Sequence, residues 1–143
     1  MKPKILIVTA RYYKDFSENL EFYASGVLNN KAKYKFVSVP GVFEIPVVIS
    51  KNIKKYDAFL ALGCVIKGQT AHFDLISRSV TEAIINLSIS HKKPIGNGLI
   101  SCLNKKQALE RSNQQNELKN KGVEAAKAVS FILDIEPADV KSS

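Results

Sequence analysis

This sequence predicts a three-layer α/β/α sandwich around a central four-stranded parallel sheet. Three observations lead there. Short apolar runs at 4–10, 34–39, 58–66 and 94–103, several rich in β-branched residues, read as strands. Apolar residues recur at helical spacing between them and after the last. Strands alternating with helices imply a sheet covered on both faces, joined by right-handed crossovers.

The first strand, 4–10, is a short apolar run, β-branched toward its middle. Asp15 or Ser17 is placed to cap the helix that follows, and Phe16, Leu20, Ala24, Val27 and Leu28 mark its buried stripe. Asn29-Asn30 ends it. Pro40-Gly41 stops the second strand. Residues 43–53 carry two signals: Val47, Val48 and Ile49 favour a strand, whereas Glu44 and Pro46 suit a helix's first turn. Read as a helix, this segment is apolar nearly all round, so it should be covered on more than one side. The third strand, 58–66, runs into a helical pattern at 72–90 through Phe73, Ile76, Val80, Ala83, Ile84 and Leu87. After the fourth strand, Asn104-Lys105-Lys106-Gln107 has the form of a capping box before a short helix. Gly122 precedes a last helix carrying Val123, Ala126, Val129, Ile132 and Leu133, which Pro137 closes.

The chain's 143 residues, 45% hydrophobic and 24% charged, fit one domain over 1–143. No run approaches the roughly 20 apolar residues of a spanning helix, and the first apolar run is too short for a signal peptide. Cys64 and Cys102 have no metal-ligand spacing, so a disulfide or a metal site is not expected and the reducing cytosol is. The net charge of +8 comes from dispersed lysines, not from an Arg-rich stripe with interleaved aromatics. That predicts a solvated basic surface first and an anionic small-molecule substrate second. Nucleic acid and membrane surfaces are not expected partners.

In open parallel sheets ligands sit outside the carboxyl ends of strands. The loops there are 10–14, 40–44, 67–72 and 101–104. Lys67-Gly68-Gln69-Thr70 leaves a strand and opens a helix, where free backbone N–H groups and the helix dipole attract anions. Thr70 could equally be an N-cap and nothing more. His72, in the first helical turn, can give and take protons near neutrality, or be a surface histidine. Phe43 and Glu44 offer an aromatic pocket wall and an acceptor, or only a Pro-Gly turn with an acid at a helix start. Tyr12 and its neighbour Tyr13 offer flat rings for stacking.

Together these stretches resemble the 6,7-dimethyl-8-ribityllumazine synthase family of riboflavin biosynthesis. The resemblance covers nearly the whole chain. It is carried by "VPGVFEIP" (39–46) and "LGCVIKGQTAHFD" (62–74), with support from "ARYY", "PIGNGLIS", "QALERS" and "NKG". It implies a flavodoxin-like fold and a condensation of 5-amino-6-(D-ribitylamino)uracil with 3,4-dihydroxy-2-butanone 4-phosphate, without metal or organic cofactor. It implies His72 as proton carrier, Gln69 and Thr70 as the phosphate loop, and Arg111 of a neighbouring subunit as the phosphate's partner. Tyr12 would stack on the pyrimidine. Val42, Phe43 and Glu44 would line the pocket, with Glu44 bonding the ribityl chain, and Cys64, Val65 and Ile66 would border the ring. Lys121 matches a lysine near the phosphate. Homo-pentamers with sites between adjacent subunits, in the cytoplasm, are the implied setting. The sequence departs from the pattern in several places, among them a 112–120 linker that is longer and less glycine-rich than usual. Tyr12 replaces a more usual Phe, Lys67 stands where Arg is common, and Asn97 occupies a position that is aromatic in many members. Two other readings stay open: a non-catalytic flavin or lumazine carrier on the same fold, and a thiol enzyme using Cys64 with His72.

Overall fold

The computed structural model describes residues 2–68, 72–113 and 118–134. Along the chain come β1 (Lys4–Ala10), α1 (Lys14–Leu28), β2 (Lys33–Val39), a 3-10 turn (Val42–Glu44), α2 (Ile45–Lys51), β3 (Ala58–Ile66), α3 (Phe73–His91), β4 (Ile95–Cys102), α4 (Lys105–Ser112) and α5 (Lys121–Leu133). The four strands form one parallel sheet in the order β2-β1-β3-β4. The order reverses between β1 and β3, which makes a crevice at their carboxyl ends.

Alternate residues of each strand feed two cores. On one face Ile5, Ile7, Leu60, Leu62 and Ile100 pack under Leu20, Ala24 and Leu28 of α1 and Ala125, Ala126 and Val129 of α5. On the other, Leu6, Val8, Phe59, Ala61 and Leu99 meet Ile45 and Ile49 of α2 and Val80 and Ile84 of α3. The central β3 is buried along its whole length, as a strand covered on both faces must be. Helix α5 lies close on α1 because residue 122 has no side chain: a Cβ there would stand 2.6 Å from the Leu20 carbonyl oxygen.

Several local expectations change. The cap of α1 is Tyr13, with no side-chain bond to the helix. Ser17, buried inside the first turn, instead donates to the Ala10 carbonyl and ties α1 to the end of β1. The segment 43–53 is helical, but it begins as a 3-10 turn and is covered on one side only, by burial of Ile45, Ile49 and Ile53. Val47 remains 57% exposed in the single chain. Asn30 takes a left-handed φ of 68° just after α1, which is why an asparagine can stop the helix there. The Asn104 box is shifted by one residue. Asn104 accepts from the Gln107 N–H at 2.9 Å, but Gln107 reaches back to the Leu103 N–H, 2.8 Å away. Helix α5 starts two residues earlier than expected, with Asn120 as cap and Gly122 inside the first turn. Pro137 lies outside the described residues.

Candidate active site

The β1–β3 crevice is shaped by a missing side chain. A Cβ on Gly63 would come within 2.8 Å of Val42 Cγ1 and 3.0 Å of Ala10 Cβ. Glycine there lets the 3-10 turn settle against β3. Val42 is thereby buried, while Phe43 of the same turn stays 65% exposed. Pro40-Gly41 releases the chain from β2, and Glu44 Oε1 accepts from the Gly41 N–H at 2.9 Å. That bond holds the turn and leaves Oε2 for another donor.

The β1 exit carries Tyr12, 74% exposed, with its ring edge-on to Tyr13 at 4.9 Å between centroids. Arg11 fixes this loop. Its Nη2 lies 2.8 Å from Glu21 Oε1 and its Nε donates to Ser38 Oγ at 2.9 Å, so β1, β2 and α1 are joined at one guanidinium. Both rings border a shallow hollow of about 260 Å³ with Lys14, Asp15, Phe16 and Lys105.

At the β3 exit the Lys67 N–H donates to the Cys102 carbonyl at 2.9 Å and extends the β3–β4 ladder by one residue. Gly68 has no positive φ, and among the described residues a Cβ there would meet the Leu103 carbonyl oxygen at 3.6 Å. Packing against the described residues does not demand glycine at this position. Gln69 and Thr70 lie outside the described residues. His72 is not within the helix, as expected from its spacing, but is the residue just before it. It is exposed and takes a left-handed backbone, φ 59° and ψ 35°. Histidine is among the residues that tolerate this region, and such conformations concentrate at functional positions. The His72 carbonyl accepts from the Ile76 N–H at 2.9 Å, so the residue is anchored by its backbone.

Cys64, Val65 and Ile66 are all buried, and their side chains alternate between the two cores. Burial pushes the Cys64 thiol far up from its ordinary range, and Cys102 adds to the effect. The Cys102 thiol is also raised, again by burial first. A protonated, covered thiol is a poor nucleophile, so the thiol-enzyme reading loses its chemistry.

A second cluster forms at the β4 edge. Arg111, Lys119 and Lys121 line a hollow of about 340 Å³ with Leu99, Ser101, Leu118 and Glu124. Arg111 is exposed, and its Nη1 donates to the Ser101 carbonyl at 3.1 Å. Lys121 pairs with Glu124 at 3.4 Å. Ser101 Oγ donates to Ser77 Oγ at 3.1 Å, joining the β4 exit to α3. Asn97 stands apart from this hollow, on the β4 face turned towards α3. Its Oδ1 accepts from the Leu99 N–H at 3.1 Å, which fixes the amide's orientation.

By strand exit, the sequence-predicted residues fall into two groups: Tyr12, Val42, Phe43, Glu44, the β3 end and His72 lie at or after the ends of β1, β2 and β3, and Arg111 with Lys121 lies beyond β4. Lys119, Asn120 and Gly63 were not predicted for the site. Asn120 lay within the quoted "NKG", but only the fold reveals what its side chain joins. A roomier hollow of about 980 Å³ lies at the amino ends of the strands, among Lys2, Pro3, Lys31, Asp57 and Phe131. It is at the wrong end of a parallel sheet for this chemistry. Among the described residues no group of three His, Cys, Asp or Glu side chains is placed to hold a metal ion. Nor is any helix long and apolar enough to cross a membrane.

A family model described as 6,7-dimethyl-8-ribityllumazine synthase matches residues 2–136. The chain is 40% identical over 139 residues to the protein of that name from Bartonella tribocorum, covering 94% of this chain and 91% of the relative. It is 37% identical over 143 residues to the Agrobacterium fabrum protein of that name, covering 94% and 95%. For the Bartonella henselae protein, also so named, identity is 42% over 140 residues, covering 94% and 89%.

Proposed function

Since the chain belongs to the 6,7-dimethyl-8-ribityllumazine synthase family and has that activity in riboflavin biosynthesis, we propose how its residues carry out the reaction. The pyrimidine's own amine attacks the ketone of 3,4-dihydroxy-2-butanone 4-phosphate and loses water to form an imine. Phosphate is eliminated, the second amine closes the ring, and another water leaves. The substrate supplies the nucleophile. The protein holds two molecules in reacting geometry and moves protons.

Tyr12 stacks on the pyrimidine through its largely exposed ring. Phe43 and Val42 wall the crevice, and Glu44 Oε2 takes ribityl hydroxyls while Oε1 keeps the turn. Backbone groups of Cys64, Val65 and Ile66 border the ring, since those side chains are turned into the cores. His72 accepts and returns protons. Gln69 and Thr70 hold the phosphate with Arg111 and Lys121 of a neighbouring copy; a guanidinium suits a tetrahedral dianion through paired, charge-assisted bonds. Asn97 of that copy offers its amide N–H groups where an aromatic would stack.

The copies form a homo-pentamer. The observation that supports sharing is the separation of the two groups at different strand exits. Leu75, Ile85 and Ile89 of α3 and Val47 of α2 are all more than half exposed in the single chain and supply apolar surface for the contact. The chain is read as one domain acting in the cytoplasm.

The observation that carries this reading is the crevice at Gly63, where a glycine seats the Phe43–Glu44 turn beside β3. The test is to incubate the protein with both substrates and follow lumazine absorbance. Growth of the product band supports the reading. Binding of lumazine without turnover would leave a carrier in its place.

A further inference from the structure

We propose that Asn120 is a positioning residue for phosphate binding: its buried side chain locks the end of α4, which carries Arg111, to the start of α5, which carries Lys121. The proposal rests on the phosphate roles given above to those two cations.

Asn120 is fully buried, and both ends of its carboxamide are used. Oδ1 accepts from the Val123 N–H at 3.0 Å and so caps α5. Nδ2 donates to the Ser112 carbonyl at 2.7 Å, across eight residues of chain. Capping needs only an acceptor, which Ser, Thr or Asp also provides. The donor is the part that asparagine adds, and it reaches the residue next to Arg111. Ser112 is itself fully buried, its Oγ donating to the Ala108 carbonyl at 2.8 Å. On the other side of the tie, Gly122 holds α5 against α1 through the close Leu20 carbonyl. Arg111 has a second anchor at the Ser101 carbonyl. Buried hydrogen bonds thus tie together the backbones that carry the two cations. A buried amide with both groups satisfied is a rigid joint, and losing half of it leaves the Ser112 carbonyl without its donor.

Asn120→Ser keeps an acceptor for the Val123 N–H but is too short to reach Ser112. Asn120→Ala removes both bonds. Steady-state kinetics with each substrate varied, beside Arg111→Ala, separates the possibilities. The serine variant should melt a few degrees below the parent, show KM for the sugar phosphate raised about fivefold, and keep KM for the pyrimidine and kcat within about twofold. The alanine variant should show the same KM change and a lower melting midpoint. An unchanged sugar phosphate KM in Asn120→Ser, with a raised one in Arg111→Ala, overturns the positioning role and leaves the phosphate reading standing. No change in Arg111→Ala removes the phosphate reading and this proposal with it. Should Asn120→Ser fail to fold, hydrogen exchange on the parent decides. Inorganic phosphate should slow amide exchange at the end of α4 and the start of α5 together. Slowing at one end alone overturns the tie.

Discussion

His72 stands just before α3 on a left-handed backbone and is exposed. A proton carrier needs both access and a fixed backbone, and the Ile76 N–H supplies the second. His72→Ala should lower kcat by roughly 10² if it moves protons in the rate-limiting step; parent-like turnover removes it from the mechanism. Arg111→Ala should raise KM for the sugar phosphate and leave KM for the pyrimidine nearly unchanged, read by varying one substrate at a time. The thiols offer a pH signature. Both are shifted upward in the folded chain. Above the ordinary thiol range, about pH 8.5, the unfolded chain releases protons that the folded chain keeps. The folded state then binds more protons than the unfolded, so stability falls as pH rises through that window. Urea midpoints between pH 7.5 and pH 10 should show the fall, and Cys64→Ala should lessen it. An identical slope in the variant contradicts the assignment.

At the scale of elements, the strands were legible because buried parallel strands are written as unbroken apolar runs, and β3 is the plainest case. The 43–53 segment was legible as a helix because Glu44 and Pro46 outweigh the β-branched residues after them, and Ile45, Ile49 and Ile53 fall on one face. Its 3-10 beginning was not, since that depends on Gly63 in a distant strand. The placement of His72 outside α3 escaped the periodicity for a similar reason: a left-handed residue leaves no mark in hydrophobic spacing. Ser17 reads as a cap by type, yet tertiary packing draws its hydroxyl to β1. The site followed the same rule. Tyr12, Glu44, His72 and Arg111 came from motif resemblance at strand exits, whereas Asn120 needed the fold. Two glycines test the packing argument. Gly122→Ala forces a Cβ against the backbone oxygen of Leu20, which should cost about 1–3 kcal/mol and lower the melting midpoint by several degrees at fixed protein concentration. Gly63→Ala meets a side chain instead, Val42. It should displace the turn bearing Phe43 and Glu44 and raise KM for the pyrimidine more than for the sugar phosphate; equal effects on both would point to a general loosening.

For the whole molecule, two features of the single chain bear on the proposed assembly. Its crevice group and its β4-edge group open at different strand exits, and its α2–α3 surface leaves Val47, Leu75, Ile85 and Ile89 uncovered. The proposed pentamer would answer both in one step, covering the apolar face and bringing Arg111 of one copy to His72 of the next. Sedimentation at micromolar concentration should therefore show a pentamer, and a monomer would contradict the shared site. Mixing two crippled variants tests the sharing most directly. His72→Ala and Arg111→Ala, co-expressed or refolded together, place an intact His72 from one copy beside an intact Arg111 from another at some interfaces. The account predicts that turnover of the mixture rises several-fold above the sum of the separate variants, with the gain appearing only after subunits exchange. If His72 and Arg111 of one chain serve the same site, every site in the mixture carries a defect, and turnover that stays at the sum contradicts the account.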